Sequence, residues 1–207
     1  MKYIIICCIL CFSQAYGGNE VGNGGDGIEC NGQDQIKLLD FLEAETVDKR
    51  KILSFTGDDP YQKVQNVILQ LKDIAPKLFE QYKGRLEKFK TRAQFLPNHK
   101  LRDLKDSFEL VLPKDCDIKQ LAIRQLNPKN ETSTFIFDED GWKKMPMDHQ
   151  AGLILHEIIY EHFWDLGERD SIKARGFNSL LFSEDMKTTK KTELKAFFIK
   201  EKISIYL

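Results

Sequence analysis

Met147-Asp148-His149-Gln150-Ala151-Gly152-Leu153-Ile154-Leu155-His156-Glu157-Ile158-Ile159-Tyr160-Glu161-His162-Phe163-Trp164 is the stretch that decides how the rest of this chain is read. Laid on a helix of 3.6 residues per turn, its Ala, Leu, Ile, Phe and Trp side chains leave almost no face polar. A helix that is apolar nearly all round belongs at the centre of a domain, with other elements packed on every side. Gly167 follows as a stop signal, and Asp170-Ser171 offers a cap to a second helix bearing Ile172, Ala174, Phe177, Leu180, Leu181 and Phe182. The pair 147–165 and 170–183 is therefore expected to form the core.

Beyond that pair, Thr188 to Leu207 has the pattern of a last amphipathic helix, with six lysines between Lys187 and Lys202. Its Leu194, Phe197, Phe198 and Ile203 face is expected to pack on the domain; lying on a membrane surface is the alternative. On the other side, Ile118 to Gln125 and Ser133 to Phe137 alternate apolar and polar residues around Asn127-Pro128-Lys129-Asn130, which predicts a hairpin. The sequon Asn130-Glu131-Thr132 lies at that polar tip. Asp138-Glu139-Asp140-Gly141 lacks the later glutamate of a calcium loop and reads as the acidic start of a helix.

Farther toward the N terminus, Asp59-Pro60 opens a helix carrying Val64, Val67, Ile68, Leu71 and Ile74, which Pro76 interrupts. Leu78, Phe79, Tyr82, Leu86 and Phe89 form the stripe of the next one. Its six lysines and arginines from Lys77 to Arg92 fall mostly off that stripe, as a solvated face or as a patch for an acidic partner. Ile28-Glu29-Cys30, the turn formers Asn31-Gly32, and Gln33 to Leu39 suggest a second small hairpin. Residues 40–50 are ambiguous and 96–117 irregular. The expected class is α+β: a mainly helical single domain, 28–207, with one or two small β-hairpins.

The chain begins with Lys2, an apolar run Tyr3 to Phe12, and Ser13-Gln14-Ala15. This is the layout of a signal peptide, 1–15, cut before Tyr16 or, in a second register, before Gly18. The run is too short to span a bilayer, which takes ~20 residues; an uncleaved anchor is the rival reading. Residues 17–27 hold six glycines, so 16–27 is expected to be a flexible lead-in. It has neither a preceding strand nor a following Gly-Lys-Ser/Thr, which argues against a phosphate loop. Removing 15 of 207 residues leaves 192, enough for one core, and removing Lys2 takes the net charge from −1 to −2. Such a balance excludes the basic face of a nucleic-acid binder. No later stretch has transmembrane length.

Of five cysteines, Cys30 and Cys116 survive cleavage. An even pair in an exported chain reads as one disulfide, with two unpaired buried thiols as the alternative.

Only His156-Glu157-Ile158-Ile159-Tyr160 carries chemistry. It starts like His-Glu-x-x-His, in which two histidines four apart hold Zn²⁺ and the glutamate acts as general base. That pattern makes His156 the candidate metal ligand and Glu157 the candidate catalytic base of a zincin-like hydrolase. The second ligand position, however, is Tyr160, whose phenol (pKa ~10) is a poor zinc ligand at neutral pH. His162 points about 120° away, and His149 lies ~10 Å along the axis. The other reading is structural. Buried His156 and Glu157 must be paired, and Arg175 and Asn178 on the next helix are candidates to complete a polar clasp with them and Tyr160. In that reading no cofactor is expected, and a binding or structural role, with an envelope or protein partner, takes the place of catalysis. A third class, an exported inhibitor or adaptor, would show an exposed apolar patch.

Gly-Asn-Gly-Gly-Asp-Gly-Ile-Glu-Cys at 22–30, Leu-Pro-x-x-Cys at 112–116 and Ala-Gly-Leu-Ile-Leu-His-Glu-Ile-Ile-Tyr at 151–160 occur in order, followed by Asp170-Ser171, Arg175 and Phe177-Asn178. Together they resemble a group of uncharacterised exported proteins of predatory Gram-negative bacteria. The resemblance implies periplasmic or extracellular residence and makes Tyr160 a feature of the group. It implies no activity.

Overall fold

The computed structural model describes residues 19–23, 25–102, 111–127 and 132–205. The expected signal peptide 1–15, residues 16–18 and 24 of the expected lead-in, and the expected hairpin tip 128–131 lie outside them. In chain order the elements are β1 (Asn19–Asn23), β2 (Asp26–Cys30), β3 (Lys37–Leu38), α1 (Leu39–Thr46), α2 (Pro60–Leu69) and α3 (Pro76–Arg92). Then come β4 (Ala93–Leu96), β5 (Cys116–Gln120), β6 (Ala122–Leu126), β7 (Ser133–Asp138), α4 (Glu139–Lys144), α5 (Met147–Asp165), α6 (Ile172–Phe182) and, after a short 3₁₀ turn, α7 (Lys191–Lys200). The class is α+β, mainly helical, as expected.

α5 is apolar all round because it is buried all round: every residue from Ala151 to Phe163 is inside. α2, α3 and α6 pack on it together with β3 and β6. Local chemistry sets the ends of the surrounding helices. Asp59 accepts the Gln62 amide at 2.9 Å ahead of Pro60, and Pro76 opens α3. Asp138 caps α4 through the Asp140 and Gly141 amides, the role read for the acidic cluster. In α7, Leu194 and Phe198 pack inward with Ile203 beyond them, so that face is spent on the core.

One sheet runs β1-β6-β7-β4, antiparallel except that β4 lies parallel to β7; the other runs β3-β2-β5 and is antiparallel throughout. β6 and β7 are the expected hairpin, with Ala122 opposite Phe137 and Leu126 opposite Ser133. The run 118–125 does not form one strand. It breaks at Leu121, giving β5 to one sheet and β6 to the other. The second expected hairpin keeps its turn at Asn31-Gly32, but β3 is only two residues long and the main partner of β2 is β5. Cys30 faces Cys116 in that ladder, and the two are joined by a disulfide.

The flexible lead-in is corrected. Residues 19–23 and 26–30 are strands, paired with β6 and β5, so one N-terminal strap crosses both sheets. Composition pointed to flexibility, whereas the backbone needs glycine for close approach. A Cβ on Gly25 would stand 1.9 Å from Leu153 Cδ1. The Gly25 carbonyl accepts the amides of both Leu121 (3.1 Å) and Ala122 (3.2 Å), at the point where the partner strand breaks.

Candidate functional site

Gly152 of α5 leaves room for the Phe41 side chain of α1 and the Leu38 side chain of β3; a Cβ there would lie 2.5 Å from Phe41 Cζ. That approach puts Asp40 beside His156. The His156 Nδ1–H donates to Asp40 Oδ2 at 2.9 Å, and Asn178 Nδ2 of α6 donates to the same oxygen at 2.6 Å and to the Gly152 carbonyl at 3.0 Å. His156, Glu157, Tyr160 and Asn178 have no exposed surface at all (0 %).

Glu157 faces a different neighbour. Its Oε1 accepts the Gly25 amide of the N-terminal strap at 2.6 Å. Arg175 does not take Glu157 as expected: its Nε donates to Glu43 Oε2 at 2.7 Å and its Nη1 to Ser171 Oγ at 2.6 Å. The expected clasp therefore resolves into three linked parts. His156 and Asn178 converge on Asp40, Glu157 holds the strap, and Arg175 ties α6 to α1. Tyr160 stacks edge-on to Trp164, and the buried guanidinium of Arg124 from β6 lies 5.7 Å from the Tyr160 ring centre and 5.0 Å from that of Trp164.

Electrostatics follow from the enclosure. Burial pushes the His156 imidazole down, but the Asp40 carboxylate overrides it and raises its pKa to about 9. For Asp40, burial pushes up and the imidazolium more than compensates, so its carboxyl sits below the usual range. The pair is a buried imidazolium–carboxylate. Burial raises Glu157 above the ordinary carboxylate range, only partly offset by His156, the Gly25 amide and Arg124.

The other histidines of the helix diverge, as their spacing implied. His149 Nδ1 accepts the Leu38 amide at 2.9 Å, and burial lowers its pKa to about 4. His162 Nδ1 meets the Tyr82 hydroxyl at 3.3 Å, and burial again lowers it to about 4. Among the described residues no three His, Cys, Asp or Glu side chains gather where they could hold a metal ion.

Asp40 and Arg124 are the site residues that sequence reading missed. The signal for Asp40 was a single carboxylate inside Leu38-Leu39-Asp40-Phe41-Leu42, where a buried acid requires a partner. Comparison with protein-family models, with curated proteins and with solved structures finds no match, so the site rests on its own geometry.

Proposed function

We propose that this protein is an exported, non-catalytic binding or structural module in which His156-Glu157 serves as a core clasp. The observation that carries this reading is the complete enclosure of both side chains, with His156 committed to Asp40 and Glu157 to the strap amide. A hydrolytic pair needs access to water and substrate. The Cys30–Cys116 disulfide supports export to an oxidising compartment, as does the leader-like start of the chain. No helix among the described residues is long and apolar enough to cross a membrane.

One feature favours a second reading, the zincin-like hydrolase. Asp40 holds Nδ1 and leaves His156 Nε2 without a partner among the described residues. A carboxylate holds metal-ligating histidines in the same way. Elemental analysis of the purified exported protein, beside His156→Ala and His156→Gln, separates the two. The clasp reading expects no metal in any of the three after zinc is supplied, and lower stability in both variants. Near-stoichiometric zinc in the parent, lost in either variant, overturns it. N-terminal sequencing of the same material is expected to start at Tyr16 or Gly18, and a chain still starting at Met1 would overturn cleavage by signal peptidase.

A further inference from the structure

β1 is the outer strand of its sheet and pairs with β6. Its sequence, Asn19-Glu20-Val21-Gly22-Asn23, is a weak strand former, since asparagine and glycine are poor residues for a ladder. The pairing is also interrupted. Asn19 faces Leu126 and Glu20 faces Gln125, but Asn23 faces Ile123, so Val21 and Gly22 together stand opposite Arg124. The rest of the strap is held independently of β1: Gly25 is bonded to Glu157, Leu121 and Ala122, and β2 lies on β5. β1 can therefore leave β6 while β2 stays in place.

Arg124 is the residue that this interruption leaves short of a partner. Its side chain is buried (1 % exposed); Nη1 donates to Ser133 Oγ at 3.2 Å, while Nε and Nη2 have no partner among the described residues. On α5 it meets the rings of Tyr160 and Trp164, which attract a cation without neutralising it. The acids along that side of α5 are spent elsewhere: Glu161 on Arg85 and Arg92, Asp165 on Arg85, and Glu157 Oε1 on the Gly25 amide. Burial works against the guanidinium charge and lowers its pKa. A buried cation in that position calls for a carboxylate, and the pair Val21-Gly22 opposite it supplies none.

We infer that β6 takes an extended acidic segment of a partner protein in place of β1, with an aspartate or glutamate of that segment opposite Arg124. The inference rests on the binding-module reading and names its partner class. A sheet edge offers main-chain hydrogen bonds to any extended segment, and the side-chain positions along it supply the selection. Directly opposite residues of an antiparallel pair stand about 4.5–5.5 Å apart at Cβ and on the same face, so a carboxylate there is within reach of the guanidinium. Residues two positions to either side share that face, which is turned to α5, and suit apolar side chains.

The test is an NMR titration of the full exported chain, followed at its amides, with the end-capped peptide Thr-Val-Thr-Glu-Thr-Val-Thr. Saturable shifts in β6 are expected, together with loss of exchange protection in β1 and none in β2. Replacing the peptide's glutamate by glutamine should weaken binding roughly tenfold, the difference between a charge-assisted and a neutral hydrogen bond. Replacing it by lysine should abolish binding. Arg124→Met, which keeps the bulk of the side chain, should bind the glutamate and glutamine peptides alike. A melting curve shows whether that variant folds; if it does not, the peptide series on the parent decides alone. Absence of saturable shifts overturns the proposal, as does equal binding of the glutamate and lysine peptides, or binding that leaves β1 protected. None of these outcomes bears on zinc content: failure here with no metal found removes the partner class and leaves the module reading, whereas zinc lost in His156→Ala removes that reading whatever β6 binds.

Discussion

Asp40 is the residue on which the candidate site depends. It is almost fully buried (1 %) and receives both His156 and Asn178 on one oxygen. Removing one partner of a buried pair leaves an uncompensated charge, so Asp40→Asn is expected to cost about 3–5 kcal/mol in urea unfolding. The pH profile gives a second readout. His156 rises from 6.5 to about 9 in the folded protein, so its stabilisation is complete below pH 6.5 and lost as pH climbs through 9. At about 1.4 kcal/mol per pH unit that interval corresponds to about 3 kcal/mol. His149 and His162 run the other way: lowered to about 4, they favour the fold above 6.5 and destabilise it as pH falls toward 4. Unfolding free energy should therefore peak near the ordinary histidine pKa of about 6.5. In Asp40→Asn the loss on the alkaline side should largely vanish and the loss on the acid side should remain. An unchanged alkaline slope in that variant would remove the imidazolium–carboxylate assignment.

Among elements, two close approaches assemble the site, and glycine makes both. Gly152 leaves room for the Phe41 and Leu38 side chains against α5, and Gly25 lets the strap lie against Leu153 and Glu157 of the same helix. Adding a methyl group forces atoms apart from 2.5 Å at the first position and 1.9 Å at the second. Each glycine-to-alanine change should cost about 1–3 kcal/mol through overpacking. The two variants differ in signature. Gly152→Ala should also lower the His156 pKa, measured by imidazole titration in NMR, because it displaces Asp40. Gly25→Ala should leave that titration in place and instead expose the strap amides to hydrogen exchange. Equal behaviour of the two would mean that the strap and α1 move as one unit.

For the whole molecule, the Cys30–Cys116 link closes a separation of 86 residues and ties β2, at the start of the domain, to β5 in its middle. In the chain-entropy model such a closure stabilises by roughly 4–5 kcal/mol. Reduced protein, or Cys30→Ser/Cys116→Ser, should unfold at correspondingly lower urea, with unchanged helix content by circular dichroism below the transition. Strands β1 and β2 should be the first to gain hydrogen exchange when the bond is opened, since Cys30 ends β2 and anchors it to β5.

Periodicity and local chemistry in the sequence by themselves determined the helices from Pro60 to Phe182, the caps at Asp59 and Asp138, the all-round burial of α5 and the hairpin joining β6 to β7, and pointed to the Cys30–Cys116 pair. The helices and the hairpin depend on residues near one another; the cysteine pair was expected from the reading of the chain as exported. Tertiary structure alone decided three things. It turned a glycine-rich lead-in into strands, because the need for glycine there comes from Leu153, far along the chain. It split the 118–125 run between two sheets at Leu121. And it gave His156 an acid from α1, 116 residues away, and sent Arg175 to Glu43 rather than to Glu157. A side chain's need for a partner is written in its own chemistry and neighbours, but which group meets that need depends on how closely two distant backbones can pack.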